Sequence, residues 1–231
     1  MSYSIEFIAE KIGAIRKGNF PTNIDWLLTD SRSLCFPEET LFFALSSKRN
    51  RGSEYIPDLY QRGVRNFVIS KQDKDWDSTQ TLLQDKDLKE TNFLIVTDVQ
   101  KALQTLAELH RKNFQIPVIG ITGSNGKTIV KEWLHQLLSP ERIVCRSPRS
   151  YNSQIGVPLS VWQMDEKTQL GLFEAGISQP GEMRALQNII KPTIGILTNI
   201  GGAHQENFFS LQEKCMEKLT LFKDCDVIIY N

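Results

Sequence analysis

Apolar residues along this chain recur with two alternating periods. Ile5, Ile8, Ala9 and Ile12 fall at helical spacing, with Ser4 placed to cap the first turn and Gly13 or Gly18 to end the helix. Short apolar runs at 26–29, 41–45, 64–70 and 93–97 read as strands. A helix is expected at 53–62, stopped by Gly63, and another from Asp98 as cap to about Asn113. Ala102, Leu103, Leu106, Ala107 and Leu109 form the apolar side of that second helix. The stretch 71–92 is polar and charged without sustained periodicity, and reads as exposed loop with room for one short helix. Beyond Pro117 the alternation resumes, with strands at 118–122, 143–146, 170–174, 193–199 and 227–230. Helices run between them from Lys127 to about Leu138, and over 155–162, 180–190 and 211–222, with Pro180 near the first turn of its helix.

Strands that alternate with helices predict right-handed crossovers and a parallel sheet, hence an α/β fold. A length of 231 residues suits one large or two modest domains. The division expected is a small α/β domain over 1–98 and a phosphate-loop-type parallel-sheet domain over 99–231. The chain stops at Asn231 directly after a strand, so the second domain is expected to be incomplete at its C-terminal end.

Charge and cysteine content narrow the function. Lys plus Arg (27) balances Asp plus Glu (27), which argues against a general nucleic-acid or membrane-surface binder. Cys35, Cys145, Cys215 and Cys225 are scattered without a C-x-x-C pair, so neither a zinc site nor disulfides are implied. Glu6, Glu10 and Lys11 interrupt the N-terminal apolar residues, which excludes a signal peptide, and no segment has the ~18 apolar residues of a membrane span. A cytoplasmic protein is expected.

The most informative segment is 118–128. An apolar strand is followed by Gly123-Ser124-Asn125-Gly126-Lys127-Thr128 and then a helix. Glycines let loop amides face a ligand, the helix adds its positive end, Lys127 brings a cation, and the Thr128 hydroxyl can ligate Mg²⁺. The strict phosphate-loop pattern requires glycine where Ile121 stands, so an ordinary strand-to-helix turn is the competing reading. Other candidates follow the same logic of strand ends. Glu174 emerges from an apolar strand and suits a Mg²⁺ ligand or a salt-bridged surface acid. His204, after two glycines, suits a metal ligand or a structural histidine. Lys218, on the next helix, reads by itself as a solvated lysine. Asn152 and Gln154 could bind substrate or cap the helix that follows.

The order of these landmarks resembles the Mur ligases, over nearly all of the chain. Thr122 to Thr128 is similar to the family's variant phosphate loop. Asn152 with Ile155-Gly156-Val157-Pro158-Leu159 is similar to the block of its D-alanyl-D-alanine-adding branch. Glu174-Ala175-Gly176 with Pro180-Gly181-Glu182-Met183, Ala203-His204 and Lys218 match further landmarks, and Asp30-Ser31-Arg32 resembles the UDP-binding front domain. The resemblance implies an ATP-dependent amide-bond ligase of peptidoglycan synthesis, with UDP-N-acetylmuramoyl-tripeptide, D-alanyl-D-alanine, ATP and Mg²⁺ as its ligands. It further implies that Gly123, Ser124, Asn125, Gly126, Lys127 and Thr128 bind nucleotide, and that Thr128, Glu174 and His204 hold metal. Lys218 would be the carbamylated lysine, and Ser31, Arg32 and Asn152 would contact substrate. Ile129, Ser150, Ser153 and Gln205 depart from the family pattern. The resemblance implies further domains beyond residue 231, in some members a fused alanine racemase. The alternatives are a relative that adds the third stem residue, folylpolyglutamate synthetase, and a non-catalytic nucleotide-binding module.

Overall fold

The computed structural model describes residues 1–47, 51–72, 90–201 and 207–230. The chain forms two compact units, Met1–Leu106 and Ala107–Asn231.

The first unit carries a five-stranded sheet of order β2-β7-β6-β5-β4. These are β2 (Ile15–Lys17), β7 (Asn92–Val96), β6 (Asn66–Ser70), β5 (Thr40–Phe43) and β4 (Trp26–Leu28). Four of the strands run parallel, and β2 lies antiparallel on β7, with Ile15 opposite Ile95. Sequence periodicity misses β2, because three residues between Gly13 and Gly18 show no alternation. A small antiparallel pair, β1 (Tyr3–Ser4) with β3 (Asn23–Ile24), flanks the helix Ile5–Lys11, and Ser4 caps that helix as expected by accepting the Phe7 amide at 3.2 Å. Phe42, Phe67 and Phe93 fill the core, with the Phe67 and Phe93 rings stacked at 5.6 Å.

The units divide within the helix Val99–Arg111, after Leu106. Its early residues Lys101, Ala102 and Thr105 line a small cavity with Ile12 and Ile95, whereas Ala107 joins the second core with Phe114 and Val118. Leu109, expected on the apolar side, is half-buried, and His110 and Arg111 are buried instead. The Arg111 guanidinium donates to the carbonyls of Phe114, Ile190 and Lys191, closing the C-terminal end of helix Glu182–Ile190. Of the loop expected over 71–92, residues 73–89 lie outside the described residues.

The second unit's sheet is parallel throughout, in the order β12-β11-β8-β10-β9. Its strands are β8 (Val118–Thr122), β9 (Val144–Arg146), β10 (Leu170–Glu174), β11 (Ile194–Leu197) and β12 (Val227–Tyr230). Burial on both faces explains why β8 and β10 read as continuous apolar runs rather than alternating ones. Helices Lys127–Leu138, Gly156–Val161, Glu182–Ile190 and Leu211–Leu219 make the crossovers. Pro180 falls outside its helix, which Gly181 opens, and the last helix tightens into a 3-10 turn over Thr220–Phe222. No helix among the described residues is long and apolar enough to cross a membrane.

Candidate active site

The chain runs outward from β8 to β9, returns to β10, and then crosses to β11 on the other side of β8. Open α/β sheets take ligands at the strand ends where the order reverses in this way. Three ends therefore meet there, with Glu174 beside Ile121 and Leu197 beside Thr122.

The loop after β8 turns at Gly123, φ +148°, and at Gly126, φ +80°, which opens the helix Lys127–Leu138. A Cβ at position 123 would stand 2.0 Å from the Thr198 hydroxyl oxygen, so the close approach itself demands glycine. Thr198 and Asn199, which sequence reasoning missed, lace this loop to the end of β11. The amides of Ser124 and Asn125 donate to the Asn199 carbonyl and side-chain oxygen, both at 2.9 Å, and the Thr198 hydroxyl donates to the Asn125 carbonyl at 2.6 Å. Two amides expected to face a phosphate are thus engaged by Asn199. The amides of Gly126, Lys127 and Thr128 open the helix, where no acceptor exists within the helix itself.

Among the described residues, three ammonium groups converge on this loop. Lys127 Nζ folds back onto the Gly123 carbonyl at 2.9 Å, and Lys218 Nζ reaches the same oxygen at 3.2 Å. Lys214 Nζ donates to the Gly201 carbonyl at 2.5 Å. Lys214 and Lys218 are 2% and 3% exposed, which removes the solvated-lysine reading of Lys218. Burial lowers the Lys127 pKa; Glu174 opposes the shift and Lys214 adds to it. Burial, with Lys127 and Lys214 beside it, brings Lys218 down to about 8. Sequence reasoning missed Lys214, although its i, i+4 spacing from Lys218 on helix Leu211–Leu219 puts both on one face.

Glu174 is wholly buried and has neutral partners, which removes the surface-acid reading. One carboxylate oxygen accepts the Thr128 hydroxyl at 3.0 Å, and the other accepts the Asn152 amide at 3.1 Å. Ser150 Oγ lies 3.3 Å from Thr128 Oγ1. Asn152 is therefore turned to the acid rather than capping the next helix; Ser153 Oγ takes the Ile155 and Gly156 amides instead, and Gln154 donates to the Glu182 carbonyl. The Thr128 hydroxyl and Glu174 carboxylate are hard oxygen donors side by side. They suit Mg²⁺, which binds few protein ligands and keeps several waters. Among the described residues no three His, Cys, Asp or Glu side chains gather as a metal cluster. His204 lies outside the described residues.

In the first unit, Ser31 and Arg32 sit on the 3-10 turn Ser31–Ser33, directly after β4 and Asp30. The Asp30 carboxylate accepts the Arg32 amide at 3.0 Å and its guanidinium at 2.9 and 2.6 Å. That guanidinium, with the amide, holds the Asp30 pKa down at about 2. The Arg32 side chain is 87% exposed, and Arg62 donates to the Ser31 carbonyl at 2.8 Å.

Residues 121–231 match the Mur ligase middle domain. A UDP-N-acetylmuramoyl-tripeptide–D-alanyl-D-alanine ligase from Borreliella burgdorferi is 33% identical over 194 residues, covering 84% of this chain and 41% of that protein. A crystal structure of MurF from Acinetobacter baumannii shares the fold with a TM-score of 0.84 at 24% identity, over 100% of this chain and 49% of that one. MurF ligase from Thermotoga maritima, solved in complex with ADP, gives a TM-score of 0.70 at 25% identity, over 88% of this chain and 45% of that one. The chain thus spans two fifths to one half of the length of these relatives. The phosphate loop, Glu174 and the paired lysines all fall inside the matched residues, and the chain belongs to the Mur ligase family.

Proposed function

We propose that this chain supplies the UDP-binding and ATP-binding parts of an ATP-dependent amide-bond ligase of peptidoglycan precursor synthesis in the cytoplasm. The reaction joins D-alanyl-D-alanine to UDP-N-acetylmuramoyl-tripeptide. One observation carries this reading: Lys127, Lys214 and Lys218 crowd a glycine loop at a strand switch point, Lys127 and Lys218 donating to the Gly123 carbonyl and Lys214 to that of Gly201. Such crowding of ammonium groups is costly alone and favourable beside a polyphosphate. The likeness to a ligase of that name and to a MurF solved with ADP supports it.

In this reading residues 1–98 serve the UDP-linked substrate, through Ser31 and Arg32, and residues 99–231 serve ATP. The terminal carboxylate of the tripeptide attacks the γ-phosphorus, releasing ADP. The dipeptide amine then attacks the acyl phosphate, losing a proton and expelling phosphate as the amide forms. Both attacks bring an anionic or electron-rich group to a crowded anionic centre, so fixed positive charge and helix-opening amides supply the stabilisation. Lys127 leaves the Gly123 carbonyl for the β/γ-phosphates, and Gly123, Ser124, Asn125 and Gly126 shape the cradle. Thr128 and Glu174, with His204 on sequence pattern, would hold Mg²⁺, which when bound would draw charge from the transferring phosphoryl group. Asn152 fixes the free face of Glu174 and lies beside substrate. Burial lowers the Lys218 pKa to about 8, which leaves a fraction of neutral amine that can take CO₂ as a carbamate with loss of a proton; that would turn this one cation into an anion able to support the metal and leave Lys127 and Lys214 as the positive charge.

The test is phosphate release by a protein in which this chain is continued to the length of its relatives. Release that needs the UDP-tripeptide, D-alanyl-D-alanine and ATP together is expected. Failure to bind ATP, or release indifferent to both peptides, would overturn the reading.

A further inference from the structure

Among the twelve residues of helix Lys127–Leu138, the one that is fully buried is a lysine, Lys131. Burial alone would select almost any other residue type there. Its ammonium is committed to backbone: it donates to the Ser147 carbonyl at 2.8 Å and to the Arg149 carbonyl. Glu132, which also accepts from Arg146 at 2.6 Å, stands 3.2 Å away. The carbonyls that Lys131 grips belong to the segment between β9 and helix Gly156–Val161. That segment contains Arg149 in the left-handed region, φ +47°, where a residue with a side chain is unfavourable unless its surroundings hold it. On either side of Arg149 the same segment meets the site. Ser147 Oγ accepts the Glu174 amide at 3.3 Å, Ser150 Oγ lies beside Thr128, and Asn152 donates to Glu174.

We propose that Lys131 is a positioning residue: its ammonium holds the 147–152 segment in the arrangement that sets Ser150 and Asn152 against Thr128 and Glu174, and so couples the seating of nucleotide to that of the acceptor carboxylate. The inference rests on the ligase reading. Lys131 touches no reacting atom. It sits one turn along the helix from Lys127, so the element that receives phosphate also clamps the segment that faces the acid. The left-handed Arg149 makes the segment dependent on that clamp.

The test uses the protein continued to the length of its relatives, with wild type measured in parallel. Lys131→Met is expected to lower kcat/KM for the UDP-tripeptide by about 10²-fold, as misplacement of a positioned group does. ADP affinity should change far less. Hydrogen exchange at amides 149–152 should accelerate while β8 and β10 stay protected. Combining it with Asn152→Ala should cost little beyond the worse single change, because both act through one segment. Lys131→Gln keeps a donor without the charge; it should show the same split at smaller size and covers the case in which the Met variant does not fold. Equal losses of nucleotide affinity and turnover in Lys131→Gln, or additive effects with Asn152→Ala, would overturn the inference. A wild-type protein that turns over while both Lys131 variants match it sinks this inference alone, whereas a wild type that binds no nucleotide sinks the ligase reading and this inference with it.

Discussion

Two cationic strand-end sites in this molecule handle charge in opposite ways. Arg32, after β4 in the first unit, is exposed and grips the acid two residues before it through four hydrogen bonds. Water and Asp30 together nearly neutralise its field. Lys127, Lys214 and Lys218, around the end of β8 in the second unit, are largely withdrawn from water and donate to carbonyls. Burial, and after it the neighbouring Lys127 and Lys214, lower the pKa of Lys218. The first arrangement is tolerant and cheap, suited to recognising one end of a ligand. The second stores unfavourable charge that a polyanion would relieve, which is the preorganisation expected where phosphate is transferred.

The contrast is broken most severely at Lys127. In a protein carrying the chain to its relatives' length, Lys127→Met should reduce ATP-dependent turnover by about 10²–10³-fold, the usual cost of deleting one preorganised donor. Steady-state phosphate release checks this. Next comes Gly123→Ala, whose Cβ would meet the Thr198 oxygen at 2.0 Å. A destabilisation of about 1–3 kcal/mol is expected from the strained backbone, with weaker nucleotide binding, measured by denaturant unfolding and calorimetry.

Lys218 gives a smaller effect with a definite sign. Its pKa falls from 10.5 to about 8 in the fold, so between those values the unfolded chain binds more protons than the native one. Stability should therefore rise with pH from about 8 towards 10.5, and the burial cost should be fully present below 8. Denaturant midpoints in CO₂-free buffer should lose most of that rise in Lys218→Met, with Lys127 contributing a remainder of the same sign. Smallest is Arg32→Ala, which should leave the unfolding midpoint almost unchanged because an exposed neighbouring pair contributes little. Binding of a uridine nucleotide, followed by fluorescence or calorimetry, should nevertheless weaken.

Much of this was legible in the chain. The parallel second sheet follows from largely apolar strands and helices that alternate with them. The phosphate loop follows from Gly123 to Thr128 despite Ile121. What stayed hidden depends on tertiary contact. Nothing local says that Lys131 and Lys214 are buried, since lysine is ordinarily exposed. Nor does local sequence tell that Asn199 captures two loop amides, because that pairing joins residues more than seventy positions apart. The antiparallel β2 and the half-buried Leu109 were lost for a related reason: a three-residue edge strand and a helix shared between two cores carry too little periodicity to read.

The most direct trial is a crystal structure of the continued protein with ADP and magnesium. The nucleotide phosphates should accept from the Gly126, Lys127 and Thr128 amides, and Lys127 Nζ should have left the Gly123 carbonyl for a phosphate oxygen. Nucleotide bound elsewhere, with Lys127 still folded onto Gly123, would contradict the claim that the buried ammonium groups exist to receive a polyphosphate.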